Sequence, residues 1–207
     1  MTRPCPGPDY NLRPPKIPPP AGACCTQAHV FGPASRFPYS EGRGYTPPDA
    51  GIETYLALLD MLGLDRGVIV HSLDGIATAP DRLRGIAVVD PDIADAGLEK
   101  LDAGGMRGIR LSTMLQGGVG SEQLMPMADR IKDLGWHIVL HVSGSGEIAA
   151  LEDVLRHLPV PVVIDHLGRV RGGQGVENAG FQVLLRLMRE TDHVWGKLAS
   201  WYRLSDL

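Results

Sequence analysis

Three histidines end short apolar runs of the chain, where their imidazoles could act as acids, bases or metal ligands. They are His29, His141 and His166, and each closes a strand-like segment. Imidazole changes its charge near neutral pH and is a common metal ligand, so it suits either kind of chemistry. In an α/β barrel the carboxyl ends of parallel strands surround the active site. The pattern therefore predicts that the three side chains belong to one site.

The elements that must position these histidines alternate between strand and helix, which is typical of a parallel α/β fold. Apolar runs predict strands near residues 23–29, 67–71, 84–89, 108–111, 137–141, 162–165 and 194–198. Amphipathic segments predict helices at 52–62, 93–103, 121–134, 147–157 and 181–189. Gly135 ends one helical segment, and Pro159 precedes a strand. Between the second and third strands only residues 72–83 remain, enough for a loop and about two turns of helix.

Length sets a limit on the fold. The chain has 207 residues, whereas a complete (β/α)8 barrel usually needs roughly 250. We therefore predict an incomplete TIM-type barrel of about seven parallel strands in residues 23–207, with the eighth strand missing. Residues 1–22 are too rich in proline for a helix or an internal strand, so we expect an extended N-terminal arm.

Charge and cysteine content restrict the partners. The formal net charge is −4 and there is no long basic run, which argues against nucleic acid or an anionic membrane and favours a small molecule. Cys5, Cys24 and Cys25 are odd in number and two are adjacent, which argues against a disulfide framework and predicts the cytoplasm. No apolar stretch approaches the roughly 20 residues of a membrane-spanning helix. Proline-rich arms often cover a partner subunit, so the sequence is also compatible with an oligomer.

Several ordered motifs resemble the amidohydrolase superfamily and, within it, lactonases of the 2-pyrone-4,6-dicarboxylate type. They lie at residues 29–33, 36–39, 84–90, 105–110 and 161–166. The resemblance implies a barrel whose first strand ends in His-x-His, with histidines from strands five and six and an aspartate from strand eight. In metal-using members these groups hold one or two divalent ions that polarise a carbonyl and activate water. In the dicarboxylate lactonases, histidines and arginines are thought to orient the lactone without metal.

The resemblance assigns roles to individual residues. His29, His141 and His166 take the second strand-one position and the positions on strands five and six. Gln27 stands where the first histidine belongs, and a glutamine amide binds Zn²⁺ less readily than imidazole. Whether these three histidines hold a divalent metal such as Zn²⁺, or no metal is used, stays open. The strand-eight aspartate is expected to be absent.

Two arginines match positions where these lactonases bind a substrate carboxylate, a role that suits the planar guanidinium group. They are Arg110, at the end of strand four, and Arg203, after strand seven. Gln116 stands where a further arginine is expected, and His141 where the pyrone enzymes are expected to have tyrosine. Another lactone or carboxylate-bearing ester therefore fits as well as the pyrone. Strand alternation predicts that Asp165, next to His166, points to the opposite face, into the helix layer.

The resemblance thus implies a hydrolase in which water attacks the carbonyl of a carboxylate-bearing lactone or cyclic ester. The three histidines would polarise that carbonyl or bind a metal, and the two arginines would hold the carboxylate. The alternative is a catalytically dead remnant, or a scaffold or binding subunit that completes its sheet with another chain. This alternative is favoured by Gln27, by the short segment at residues 72–83 and by the missing eighth strand.

Overall fold

A computed structural model describes residues 3–39, 41–114, 120–200, 202 and 204–205. Within them, seven strands form one parallel sheet in which their order follows the chain. They are β1 (Cys24–Ala28), β2 (Arg66–Val70), β3 (Leu83–Ala87), β4 (Met106–Ser112), β5 (His137–His141), β6 (Val162–Ile164) and β7 (Val194–Gly196). A separate two-residue strand, Arg3–Pro4, pairs in parallel with Tyr45–Thr46. The predicted α/β class, an incomplete barrel of seven parallel strands, is confirmed.

Helices occupy the connections between these strands. They are α1 (Ile52–Leu62), α2 (Leu73–Thr78), α3 (Asp95–Ala103), α4 (Leu124–Ile131), α5 (Ser145–Ala150), α6 (Glu152–Arg156) and α7 (Ala179–Glu190). The six residues of α2 fill the short predicted segment between β2 and β3. The hydroxyl of Ser72 caps this helix by accepting a hydrogen bond from the Gly75 N–H at 3.0 Å. Among the described residues, no helix is long and apolar enough to cross a membrane.

The chain packs as two compact units. The first comprises residues 1–85 and 104–106, and the second comprises residues 86–103 and 107–207. In the first unit, Leu59 of α1 and Ile69 of β2 are fully buried. Tyr55 of α1 lies so close to Gly67 of β2 that a Cβ atom on residue 67 would lie 2.5 Å from the tyrosine hydroxyl. A glycine at this point therefore allows α1 to pack tightly on the strand.

In the second unit, the register of β4, β5 and β6 separates an apolar face from a polar face. Arg110 lies opposite Val139, which lies opposite Val163. Alternate residues of a strand share a face, so the intervening positions form the other face. That other face is apolar and at most 1% exposed, and it comprises Ile109, Leu111, Ile138, Leu140, Val162 and Ile164. Burial of such side chains, at roughly 25 cal/mol per Å², is the main force that holds these strands in place.

The helices that follow β5 and β6 approach one another closely. A Cβ atom at Gly180 of α7 would lie 1.9 Å from the carbonyl oxygen of Ser145, the first residue of α5. No other residue type fits there without moving one helix. The side chain of Asn178 caps α7 by accepting a hydrogen bond from the Phe181 N–H at 3.1 Å. The close approach at Gly180 thus places α7 against the start of α5, and the cap at Asn178 fixes where α7 begins.

Candidate active site

Six polar side chains converge at the carboxyl ends of β4 to β7 in the second unit. We call them the polar cluster, and they are Arg110, Ser112, His141, Asp165, His166 and Lys197. Each is at most 9% exposed. Burying a charged group is costly unless it is paired and hydrogen-bonded, so the contacts within the cluster decide what it can do.

Asp165 is the centre of an ion-pair network. Arg110 donates from Nε and Nη2 to Oδ2 of Asp165, at 3.1 and 2.9 Å. Lys197 Nζ lies 2.8 Å from Oδ1, so both carboxylate oxygens face a cation. Burial acts to raise the pKa of Asp165, but Lys197 and Arg110 more than offset this and lower the pKa below its ordinary value. The carboxylate is therefore ionised at neutral pH.

The expectation that Asp165 points into the helix layer is wrong. Strand alternation places Asp165 with Val163 on the face that carries Arg110, and the two side chains meet there. It is His166 that departs from alternation, because β6 ends at Ile164. The prediction assumed that the strand continued through residue 166.

The backbone after β6 makes a left-handed turn that carries His166. The φ angles are 50° at His166, 51° at Leu167 and 63° at Gly168. Left-handed geometry costs a non-glycine residue about 1–2 kcal/mol, so something must hold the turn in place. Lys197 does so through its main chain, which accepts a hydrogen bond from Leu167 N–H at 3.2 Å and donates one to Ile164 at 2.9 Å. Strained backbone of this kind is concentrated at functional sites.

His141 and His166 form a pair of imidazoles beside this network. Their ring centroids are 5.5 Å apart and the rings meet edge to face. Ser112 Oγ lies 3.2 Å from Nδ1 of His141 and orients that ring. Nε2 of His141 and Nδ1 of His166 are buried and make no hydrogen bond within the described part of the chain. We call these two ring nitrogens open because no described residue is hydrogen-bonded to them.

Both imidazoles are held in the neutral form. Burial, followed by the charge of Arg110, lowers the pKa of His141 to about 4. Burial also lowers the pKa of His166, although Asp165 and a hydrogen bond to the main chain of Ala199 act in the opposite direction. A neutral imidazole has one nitrogen that can accept a proton, so the pair offers general-base chemistry at neutral pH.

The structure places the other predicted site residues as follows. His29 follows β1 in the first unit, where it is exposed and its ring stacks on Phe31 with centroids 6.0 Å apart. Arg203 lies outside the described residues, and so does Gln116. The structure thus brings together His141, His166 and Arg110, and the roles of His29 and Arg203 stay predictions.

Sequence reasoning did not identify Ser112 or Lys197, and it misjudged Asp165. Ser112 stands two residues after Arg110 on the same strand, so alternation could have placed it on the polar face. Lys197 interrupts the apolar run of the seventh strand, and a lysine in such a run is a signal of a paired or functional charge. The pairing of Ser112 with His141 and that of Lys197 with Asp165 have no counterpart in sequence spacing.

The first unit contains a cavity of about 250 Å³ between the segments that follow β1 and β2. Two of the motifs noted in the sequence, 29–33 and 36–39, contribute to its lining through Phe31, Gly32 and Arg36. Arg36 forms an exposed ion pair with Asp74 of α2 at 2.9 Å. Two of the motifs therefore lie around one cavity of the first unit.

Comparison with known proteins identifies the family. A model of the amidohydrolase family, described as Amidohydrolase, matches residues 25–206. The chain belongs to this family. The 2-pyrone-4,6-dicarboxylate hydrolase of Comamonas testosteroni is 37% identical over 90% of this chain and 65% of its own length. The 4-sulfomuconolactone hydrolase of Hydrogenophaga intermedia is 35% identical over 97% of this chain and 70% of its own length.

Solved structures agree with this assignment. A probable 2-pyrone-4,6-dicarboxylic acid hydrolase from Acinetobacter baumannii, with citric acid bound, has a TM-score of 0.76 and 28% identity, over 89% of this chain and 72% of its own. A putative hydrolase of the same name from Pseudomonas putida has a TM-score of 0.74 and 31% identity, over 88% of this chain and 70% of its own. The amidohydrolase chain thus spans about two thirds of the length of its relatives, and those named above are lactone hydrolases.

The donor set of the described residues does not fit a resident metal ion. An amidohydrolase of Burkholderia multivorans that shares the fold, at 17% identity and a TM-score of 0.65, has bound zinc. In the described part of this chain, however, no three His, Cys, Asp or Glu side chains are grouped so that they could hold an ion. Zinc takes at least three protein ligands, and Asp165 already faces Arg110 and Lys197 with its two oxygens.

Proposed function

We propose that this amidohydrolase hydrolyses a lactone or cyclic ester that carries a carboxylate or another anionic group. The observation that carries the proposal is the polar cluster, in which a buried arginine lies beside two neutral imidazoles with open nitrogens. Relatives named for hydrolysing 2-pyrone-4,6-dicarboxylate and 4-sulfomuconolactone support it, because both of these substrates are anions.

Arg110 is proposed to bind the anionic group. Asp165 occupies the edge of the guanidinium formed by Nε and Nη2. Among the described residues, nothing is hydrogen-bonded to Nη1, so that side is available to a ligand. Arginine suits carboxylates because its nitrogens form a flat fork that matches two oxygens, and charge-assisted bonds of this kind are roughly twice as strong as neutral ones. Arg203 is kept in the proposal as a second cation, on the resemblance alone.

His141 and His166 are proposed to activate water and to return its proton. The water oxygen bonds to the lactone carbonyl carbon while an open imidazole nitrogen takes its proton. The ring C–O bond then breaks, and the proton passes from the imidazole to the leaving oxygen, which gives a hydroxyl and a new carboxylic acid. The acid loses its proton to water and becomes a carboxylate. General-base catalysis of this kind typically contributes about 10²–10⁴-fold in rate. His29 is also proposed to take part in the reaction, and this role rests only on the resemblance to the lactonases.

A direct assay tests this proposal. Hydrolysis of 2-pyrone-4,6-dicarboxylate, 4-sulfomuconolactone and an uncharged lactone is measured with the purified chain and with His141→Asn and Arg110→Met. We expect the anionic lactones to be preferred, kcat to fall about 10²-fold or more in His141→Asn, and KM to rise in Arg110→Met. His157→Asn is the control, because His157 is exposed at the end of α6 and should leave both constants unchanged.

The outcome separates an enzyme from the alternative. A chain that unfolds cooperatively but hydrolyses none of the three lactones would contradict the proposal and favour a binding or scaffold role. A rate in His141→Asn equal to that of the wild type would also contradict it, because the imidazole pair would then have no part in the reaction.

We further propose that the reaction needs no resident metal, because the described donor set is incomplete. Dialysis against EDTA is expected to leave kcat unchanged, measured on the preferred lactone against a sample dialysed without chelator. Loss of activity that Zn²⁺ restores would overturn this part of the proposal.

A further inference from the structure

We propose that Asp165 is a positioning residue that presents the free side of Arg110 to the substrate anion. One of its oxygens holds Arg110, and the other faces Lys197. This inference rests on the proposed function and adds to it, because no resemblance assigned a role to Asp165 or Lys197. Asp165 does not touch the substrate in this proposal but acts through Arg110.

The geometry of the pair explains how this positioning works. Both bonds from Arg110 go to the single oxygen Oδ2, from Nε and Nη2. They fix the plane of the guanidinium and leave Nη1 on the opposite side. An arginine side chain loses up to about 2 kcal/mol of conformational entropy when it is ordered. Because Asp165 already orders the Arg110 side chain in the free protein, this loss of entropy does not weaken substrate binding.

Stability alone does not account for this network. The side chains of Arg110 and Lys197 are each 8% exposed and that of Asp165 is 1% exposed. Removing such charges from water is so costly that apolar replacements are often as stable or more stable. A buried ion network with no clear stabilising role, next to open imidazole nitrogens, is best explained by its effect on the site.

Lys197 extends the effect to His166. Its main chain is hydrogen-bonded to both Ile164 and Leu167, on either side of His166. Its side chain reaches the carboxylate of Asp165. The arginine proposed to bind the anion and an imidazole proposed to activate water are therefore both held by contacts with Asp165 and Lys197. A lactone bearing a carboxylate at the matching separation would satisfy both at once.

The test removes the carboxylate of Asp165 and, with it, one positive charge, so that the net charge of the polar cluster does not change. Asp165→Asn alone leaves two buried cations with a neutral partner, so the double variant Asp165→Asn with Lys197→Met is the main sample. The control is Glu152→Gln, because Glu152 also binds two cations but lies on the helical surface. Thermal unfolding of each variant shows whether it is folded.

Two readouts are compared. The first is KM against kcat for the anionic lactone. The second is the Kd of citrate by calorimetry, which needs no turnover and uses the carboxylate bound by the Acinetobacter relative. In the double variant we expect KM and the citrate Kd to rise about tenfold or more, because the arginine must now be ordered on binding. Since the main chain of Lys197 still holds the turn, kcat should change by less than about threefold.

The results distinguish the failure of this inference from the failure of the proposed function. If citrate binding depends on Asp165 but no lactone is hydrolysed, the positioning role holds and the proposed activity fails. If the folded double variant matches the wild type in KM and Kd, or if the wild type binds no citrate, the positioning role is overturned. Should the double variant not fold, arginine side-chain ¹⁵N spectra of the wild type decide. Citrate should then perturb Arg110 while its Nε–H stays protected, and an Nε–H in free exchange would refute the inference.

Discussion

Asp165 and Glu152 each bind two cations, but Asp165 lies in the polar cluster at the strand ends and Glu152 on the surface formed by α6 and α7. Glu152 accepts hydrogen bonds from Arg186 at 2.8 and 2.6 Å and from Arg156 at 3.2 Å. Its side chain is 26% exposed, whereas that of Asp165 is 1% exposed. The distances between carboxylate and cation are thus similar in the two networks, but Asp165 is much less exposed to solvent than Glu152.

The difference shows that similar ion pairs serve different purposes. Water screens the Glu152 network, so it connects two helices with little net effect on stability. The pKa of Glu152 is lowered chiefly by its hydrogen bond with Arg186. At Asp165, burial opposes ionisation, and chiefly Lys197, followed by Arg110, keeps the pKa low. Because Asp165 stays charged through its pairing with Lys197 and Arg110, the three side chains are held in one arrangement. A fixed arrangement of charges suits a binding site.

The largest expected effect comes from removing the buried carboxylate. Asp165→Ala leaves Arg110 and Lys197 buried without their partner, so the free energy of unfolding should fall by about 3–5 kcal/mol. Urea unfolding measures this change. Glu152→Ala should cost far less, because Arg156 and Arg186 can turn to water. Equal losses in the two variants would remove the distinction between the regions.

A double-mutant cycle sharpens the comparison. In the background of Asp165→Asn, the further change Lys197→Met should raise the free energy of unfolding, because it removes a buried charge that has lost its partner. We expect a coupling energy of about 1–3 kcal/mol between residues 165 and 197 by urea unfolding. The matched cycle with Glu152→Gln and Arg186→Met should show much weaker coupling. Additive effects at Asp165 and Lys197 would contradict an interaction between them.

Acid should weaken the region around the polar cluster. The pKa of His141 is lowered to about 4 in the folded chain, while the unfolded chain keeps the ordinary value near 6.5. Between these pH values the unfolded chain binds more protons, so stability should fall as the pH decreases from about 6.5 to 4. Melting temperatures at several pH values measure this slope. His141→Asn should flatten it and His157→Asn should not, and the opposite pattern would exclude His141 as its cause.

The smallest expected effect concerns salt. Raising NaCl from 0.1 to 1 M shortens the screening length from about 10 to 3 Å, which weakens exposed pairs more than buried ones. The difference in unfolding free energy between wild type and Glu152→Gln should therefore disappear in high salt. The difference between wild type and Asp165→Asn should persist. If both differences shrink equally, the buried cluster is open to solvent.

The elements were predictable because their signals are local. The segment predicted for α1 ends at the glycine that caps it, and the observed helix is Ile52–Leu62 as expected. The fifth strand also has its predicted bounds, His137–His141. Both have a clear apolar pattern with a breaker nearby. The strand end that carries His141 could therefore be located from sequence alone.

The pairings inside the site were not predictable, because they depend on strand register. Arg110 and Asp165 are 55 residues apart, and they meet only because β4, β5 and β6 align as they do. Alternation fixes which residues share a face within one strand, but it does not give the position at which a strand ends. The error at Asp165 arose because the strand ends at Ile164, so that His166 departs from alternation and Asp165 does not. The roles proposed for His29 and Arg203 still depend on the resemblance.

The left-handed turn after β6 also limits how this site could be transplanted by protein engineers. The turn is not a self-contained loop, because Leu167 is hydrogen-bonded to Lys197, which directly follows the neighbouring strand β7. A graft of residues 162–170 onto another scaffold would lose that support and relax. A graft that keeps the turn would therefore need residues 194–198 as well as residues 162–170. Transfer of this site to another protein thus requires two adjacent strands together.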